Sequence, residues 1–268
     1  MSVAQPIPLQ TNLNTHPVTD RIFQDAKQHP CWQCPQAKIC LPKLLSPSNT
    51  LSPQPHLQNL VHHKKPLLHA KENLFNQGSP FENIYIIRSG SVKTSIVSQN
   101  GEEHITGFYF PGDVVGTDGI SISRYASTAT ALETASVCSI PFAELERMSS
   151  QIRSLQHYVF KLMALEIQRE QRMMMLLCNT TAEQRVASFL MRMADHCQNR
   201  NLSASEFKLP MSRGELGNYL GLALETVCRV LTRFQKQGLL RLEHRFVMDL
   251  DRQALKSLSC TGQYPLEN

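Results

Sequence analysis

No apolar run in this chain approaches the roughly 20 residues that a membrane-spanning helix needs, so a transmembrane segment is not expected. The opening stretch, MSVAQPIPLQTNLNTHPVTD, lacks both an early cationic patch and an apolar core, and so lacks the pattern of a secretory signal. Both absences point to the cytoplasm. No glycine-rich phosphate loop and no nucleophile–base pattern stands out, which argues against an enzyme. Internal repeats are absent too. Charge is modest: 27 Lys and Arg against 22 Asp and Glu leave a net charge of +5. That balance suits an anionic partner without demanding one.

Cysteine is what the chain does have, eight in all. In a reducing compartment these are poor material for a disulfide framework; metal binding or inert burial is the expectation. Three cluster in CWQCPQAKIC, as Cys31, Cys34 and Cys40, and Cys138 follows far downstream in ALETASVCSIPF. Thiolates suit iron–sulfur clusters and zinc alike, and the spacing excludes neither. Three ligands from an N-terminal arm and one from a distant segment suit a sensor, because losing the metal would release the arm. Cys178, Cys197, Cys228 and Cys260 read as ordinary buried or surface thiols.

The 268 residues suffice for two modest domains with cores. Residues 1–49 are an arm carrying the cysteine cluster, polar and Pro-containing before it and Ser/Pro-rich after it. Residues 50–142 form a sensor domain whose text is strand-like from about 61: NIYIIR (83–88) and SVKTSIV (91–97) alternate with the turn signals Ser89-Gly90, Asn100-Gly101 and Pro111-Gly112-Asp113. Many short strands at close spacing suggest a small β-barrel or jelly roll. Gly and Pro vanish after Pro141, which predicts one long helix over 143–178. Residues 179–260 hold a further helix over 182–197, a polar loop over 198–207, two short helices and two strands; 261–268 are a loose tail.

Within that C-terminal region, Ser212 is a helix N-cap and Glu215 completes a capping box. Gly221-Leu222-Ala223 is a tight turn, and a second helix runs from Leu224 to about Gln237. Two short helices joined by a Gly-containing turn form the helix-turn-helix of DNA-binding proteins, and the strands after it form a wing. The second helix is two-faced. Val227, Val230, Leu231 and Phe234 turn inward, whereas Glu225, Cys228, Arg229 and Thr232 share the opposite face at i, i+3, i+4 and i+7. Arg229 suits a bidentate contact to guanine, and Glu225 suits a cytosine amino group. Thr226, Ser212, Arg213, Arg233 and Lys236 suit phosphates, which position without specifying sequence.

The long helix carries Phe160, Met163, Ile167, Glu170, Met174 and Leu177 at spacings of 3 and 4, a heptad seam. A second stripe, with Leu155, Val159 and Leu162, is left to pack on the chain itself. Two stripes predict a helix that pairs with its twin, and a two-fold dimer reads a palindrome. Glu170 interrupts the seam. Paired across a two-fold axis, two Glu170 carboxylates oppose association, which would make dimerisation marginal and switchable; splayed to water, Glu170 is inert.

These features together resemble the FNR group of the CRP/FNR superfamily of bacterial transcription regulators. The resemblance is carried by MSRGELGNYLGLALETVCRVLTRFQKQGLL, GEEHITGFYFPGDVVG and ALETASVCSIPF, and by the C-x2-C-x5-C spacing with a distant fourth cysteine. It implies an α+β fold: an N-terminal double-stranded β-helix (jelly-roll) sensor domain akin to cyclic-nucleotide-binding domains, a long dimerisation helix, and a C-terminal winged helix-turn-helix. It implies a [4Fe–4S] cluster on Cys31, Cys34, Cys40 and Cys138, intact without oxygen, when the homodimer binds promoter DNA. Oxygen converts the cluster to a [2Fe–2S] form and the dimer is lost; nitric oxide also attacks such clusters. The group reads sites resembling TTGAT–N4–ATCAA with a Glu-x-x-Ser-Arg pattern. Glu225 and Arg229 match its ends, and Cys228 stands in place of the serine. The hairpin tip Gly101-Glu102-Glu103 matches a loop that touches RNA polymerase in this group, although a solvated turn would look the same.

The rival is a CRP-like regulator that binds a small ligand in the barrel, with structural zinc at the cysteines. A cyclic-nucleotide binder needs paired Gly-Glu and Arg-Ser phosphate contacts, which PGDVVGTDGISISRYASTATAL lacks.

Overall fold

The computed structural model describes Cys34, residues 60–61 and residues 67–259. Cys31, Cys40, Cys260 and the 261–268 tail lie outside the described residues.

Seven strands come first: β1 (Asn73–Phe75), β2 (Asn83–Ser89), β3 (Val92–Val97), β4 (Glu103–Tyr109), β5 (Val114–Val115), β6 (Thr128–Ala131) and β7 (Ser136–Pro141). They form two antiparallel sheets, ordered β1-β6-β3-β4 and β5-β2-β7. Tyr85, Ile87, Val115 and Val137 from one sheet meet Phe75, Val92, Tyr109 and Ala129 from the other in a shared core, as a jelly-roll sandwich requires. The β2–β3 turn needs its glycine. Gly90 has φ 76°, and a Cβ there would stand 2.4 Å from the Thr134 carbonyl oxygen.

Strand β4 carries a bulge. Thr94 pairs with Gly107 but Ser95 pairs with Ile105, so Thr106 is the extra residue. The bulge resets the alternation of side chains, and Ile105 and Phe108 both join the core of the C-terminal region, while Tyr109 stays in the sandwich.

The single helix expected over 143–178 is instead two helices, α1 (Phe142–Ser149) and α2 (Arg153–Asn179). The Ser149 and Ser150 hydroxyls donate to the Glu146 and Arg147 carbonyls at 2.7 Å, competing with the backbone for acceptors. Ile152 is then extended, with φ −117° and ψ 104°. The absence of Gly and Pro was a sound helix signal that did not register the serines.

The C-terminal region holds α3 (Ala182–Asn199), β8 (Phe207–Lys208), α4 (Arg213–Leu220), α5 (Leu224–Lys236), β9 (Arg241–Glu243), β10 (Phe246–Met248) and α6 (Arg252–Leu258). A capping box at Thr181 and Gln184 starts α3. Strand β8 begins at the last residue of the expected polar loop and pairs with β10, so the wing is a three-stranded sheet, β8-β10-β9. Helix α6 was not legible in the sequence; Asp251 caps it by accepting from the Ala254 N–H at 2.9 Å. Among the described residues, no helix is long and apolar enough to cross a membrane.

Candidate nucleic-acid interface

Helices α4 and α5 and the turn between them form the helix-turn-helix. The Glu215 N–H donates to the Ser212 Oγ at 3.1 Å, and the Ser212 N–H donates to Glu215 Oε2 at 2.8 Å. Burial of Glu215 works to raise its pKa. The backbone and side-chain hydrogen bonds of Ser212, with Lys93, outweigh that and hold the carboxyl below its ordinary value. Gly221 closes α4 with φ 62°. The Leu222 N–H donates back to the Gly217 carbonyl at 2.9 Å. That approach is so tight that a Cβ on Gly217 would lie 2.6 Å from the Leu222 carbonyl oxygen.

The two faces of α5 separate as its period demands. Val227, Val230, Leu231 and Phe234 are buried, whereas Glu225, Arg229 and Thr232 are exposed and Cys228 is half-buried among them. Arg213, on α4, places its Nη1 3.7 Å from the Cys228 Sγ. The Arg229 Nε leans on the Glu225 carbonyl at 3.4 Å. Glu225, Cys228, Arg229 and Arg213 thus form one outward patch, with Thr226 and Ser212 half-buried nearby. Arg233 is not among the available cations: it pairs with Glu183 of α3.

On α2, Leu155 and Tyr158 are buried, and the seam expected to pair is open. Phe160 is 64% exposed, Ile167 59% and Met174 60%; Glu170 is exposed and Met163 half-buried. Such an apolar row on a soluble surface marks an interaction face.

Cys138 lies in β7, paired in register with Ile86 of β2, and is 5% exposed. Cys34 is half-buried, and Cys34, Cys138, Cys178, Cys197 and Cys228 are not in disulfides. Burial raises the Cys197 pKa, as suits a structural thiol. Among the described residues, no three His, Cys, Asp or Glu side chains converge on a metal position; two of the four expected ligands fall outside that set.

At the hairpin tip, Gly101, Glu102 and Glu103 are exposed. Glu103 is engaged: Lys93 Nζ sits 3.0 Å from its carboxylate and 3.2 Å from that of Glu215. The hydrogen bond from Lys93 depresses the Glu103 pKa. Sequence reasoning missed Lys93 and three other residues that tie the regions together. Arg169 donates to the Phe108 carbonyl at 2.9 Å and lies over the Tyr109 ring. Arg185 donates to the Leu177 carbonyl at 2.8 Å and the Leu220 carbonyl at 3.0 Å. Asn218 bonds to the backbone of β4. Apart from the Arg185–Leu177 bond, which spans eight residues, these contacts are long-range, and no local pattern announces them. A cavity of about 470 Å³ opens where Phe108, Arg169, Arg192 and Tyr219 meet; it lies outside the sandwich core.

A two-sheet sandwich joined through a long helix to a winged helix-turn-helix is the architecture of a DNA-binding transcription regulator, not of an enzyme. Family models for the cyclic nucleotide-binding domain and the Crp-like helix-turn-helix domain match residues 67–151 and 184–258. The chain is 43% identical to the transcriptional activator protein anr of Pseudomonas aeruginosa, over 85% of this chain and 92% of that one. It is 39% identical to electron transport regulator A of Shewanella oneidensis, over 85% and 90%. The solved structure of FixK2 from Bradyrhizobium japonicum superposes with a TM-score of 0.66 at 31% identity, covering 73% of this chain and 96% of that one. The chain belongs to the CRP/FNR family of transcription regulators.

Proposed function

We propose that this protein is an anaerobic transcription regulator whose DNA binding is governed by an oxygen-labile [4Fe–4S] cluster. The observation that carries the DNA-reading half is the outward patch of Glu225, Cys228, Arg229 and Arg213, with its inward face fully packed. Arg229 and Glu225 read base edges, Cys228 offers a soft contact, and Arg213, Thr226 and Ser212 face phosphates. The open seam on α2 supports a homodimer, and a two-fold reader calls for a palindromic site, here one resembling TTGAT–N4–ATCAA.

Sensing is assigned to Cys31, Cys34, Cys40 and Cys138. The donor set fits: four thiolates are the ordinary ligands of such a cluster, and Cys138 sits buried in β7 between Val137 and Ser139. When bound, the cluster supplies a centre that oxygen, and by the same chemistry nitric oxide, destroys. The chain's own part is to span the two ends of that site. Cys138 belongs to a strand that runs directly into α1, so a change at β7 bears on the segment leading to α2. Pseudomonas and Haemophilus influenzae relatives bear the names transcriptional activator and anaerobic regulatory protein, which supports an anaerobic activator; we assign its cytoplasmic RNA polymerase contact to the exposed 101–103 tip.

The test is an iron and sulfide assay, with a visible spectrum, on protein purified without oxygen and then aerated. About four irons per chain are expected, with absorbance that bleaches as the dimer dissociates. Cys138→Ala should lose both the cluster and specific DNA binding, and Cys260→Ala neither. Full cluster absorbance in Cys138→Ala would overturn the ligand assignment.

A further inference from the structure

We infer that Asn218 is a positioning residue: its carboxamide hooks the DNA-reading head onto the free edge of β4 and so sets the orientation in which the head meets DNA. This inference rests on the DNA-reading assignment above.

Strand β4 is the last strand of its sheet, so one row of its backbone groups has no strand partner. Asn218 fills that gap. Its Nδ2 donates to the Glu103 carbonyl at 2.7 Å, and its Oδ1 accepts from the Ile105 N–H at 2.7 Å. Glu103 and Ile105 are two apart, so their groups point the same way out of the sheet. One side-chain amide thus imitates a residue of a neighbouring strand. Asn is a poor helix former, and this bond accounts for its place near the end of α4.

The hook has support on both sides. Lys93 bridges Glu103 of the barrel and Glu215 of α4. Beyond it, Phe108 packs edge-on against Tyr219, with ring centroids 5.0 Å apart, and reaches Phe189 of α3 at 6.0 Å. The β4 bulge is what turns Ile105 and Phe108 together toward the head. The contact leaves the reading face of α5 uncovered, with Glu225, Arg229 and Thr232 exposed. It therefore orients the head and does not occlude it. In a dimer, two heads held this way stand at a fixed separation, which matches a fixed spacing between half-sites.

The experiment uses full-length protein purified without oxygen, as wild type, Asn218→Ala and Lys93→Gln. Two readouts are taken: amide hydrogen exchange at Ile105, and binding to duplexes with TTGAT and ATCAA half-sites separated by three, four or five base pairs. In Asn218→Ala the Ile105 amide should lose protection. Affinity for the four-base-pair site should fall about 3- to 10-fold, and the preference for it over the three- and five-base-pair sites should weaken. Lys93→Gln should move both in the same direction by less. A head that is merely destabilised would lose affinity for every spacing alike, so an unchanged spacing preference overturns the inference. Unchanged Ile105 protection overturns it as well, whether or not DNA binds. Wild-type protein that binds no duplex would instead refute the DNA-reading assignment, and the Ile105 readout would still decide the hook.

Discussion

Two glycines in α4 should respond to alanine with opposite signs. At Gly217 an added Cβ would stand 2.6 Å from the Leu222 carbonyl oxygen and 3.4 Å from a Val227 methyl. The oxygen is backbone, so the helix-turn-helix turn itself must open. Overpacking of that kind costs about 1–3 kcal/mol, against a gain of only about 1 kcal/mol from replacing a helical glycine. The net expectation for Gly217→Ala is a loss of up to about 2 kcal/mol. At Gly214 the nearest atom to a new Cβ is the Ser212 Oγ at 3.9 Å, which is ordinary contact. Nothing opposes the propensity gain there, so Gly214→Ala should stabilise by about 0.4–1 kcal/mol. Both residues are in the same eight-residue helix, so each variant controls for the other's effect on expression and assembly. Urea unfolding followed by circular dichroism reads both. Equal shifts of the same sign would refute the packing argument, because propensity alone cannot tell the two sites apart.

Arg229→Ala should cost about 1–3 kcal/mol of discrimination between a specific duplex and one altered at the contacted guanine, measured by competition binding; undiminished discrimination would remove Arg229 from base reading. Glu170→Ala should raise the association constant of cluster-free protein in sedimentation equilibrium, because Glu170 is exposed on the same seam as Ile167 and Met174. Equal association of variant and wild type would mean that the carboxylate splays into water.

The helix-turn-helix was legible because its signals are local. Ser212, Glu215 and Gly221 each act within four residues of the group they satisfy, and the two faces of α5 follow from a 3.6-residue period alone. The sandwich was legible from its turns, for the same reason. Three kinds of information were not. Helix interruption at residues 150–152 depends on serine hydroxyls competing for carbonyls, which composition does not register. Strand β8 is two residues long and exists only through its pairing with β10. The third kind, the joining of barrel to head, is non-local throughout: Asn218 lies 113 residues from Ile105, and the direction of Ile105 is set by a one-residue bulge that no alternation pattern reveals.

That division has a functional meaning. What the protein recognises is written in short segments, each able to form its own geometry. How one region informs another is carried by a few long-range contacts that cluster on β4. This strand supplies Glu103 of the exposed 101–103 tip, the edge that Asn218 grips, and Phe108, which enters the core of the head. Arg169 of α2 binds the carbonyl of that same Phe108. One strand therefore joins the exposed 101–103 hairpin, the helix that bears the open apolar seam and the helix-turn-helix head. A displacement of β4 cannot leave any of the three unaffected, because packed interfaces shift as units and do not deform continuously. The long helix and the helix-turn-helix head thus hold the same few residues of backbone, Arg169 at Phe108 and Asn218 at Glu103 and Ile105.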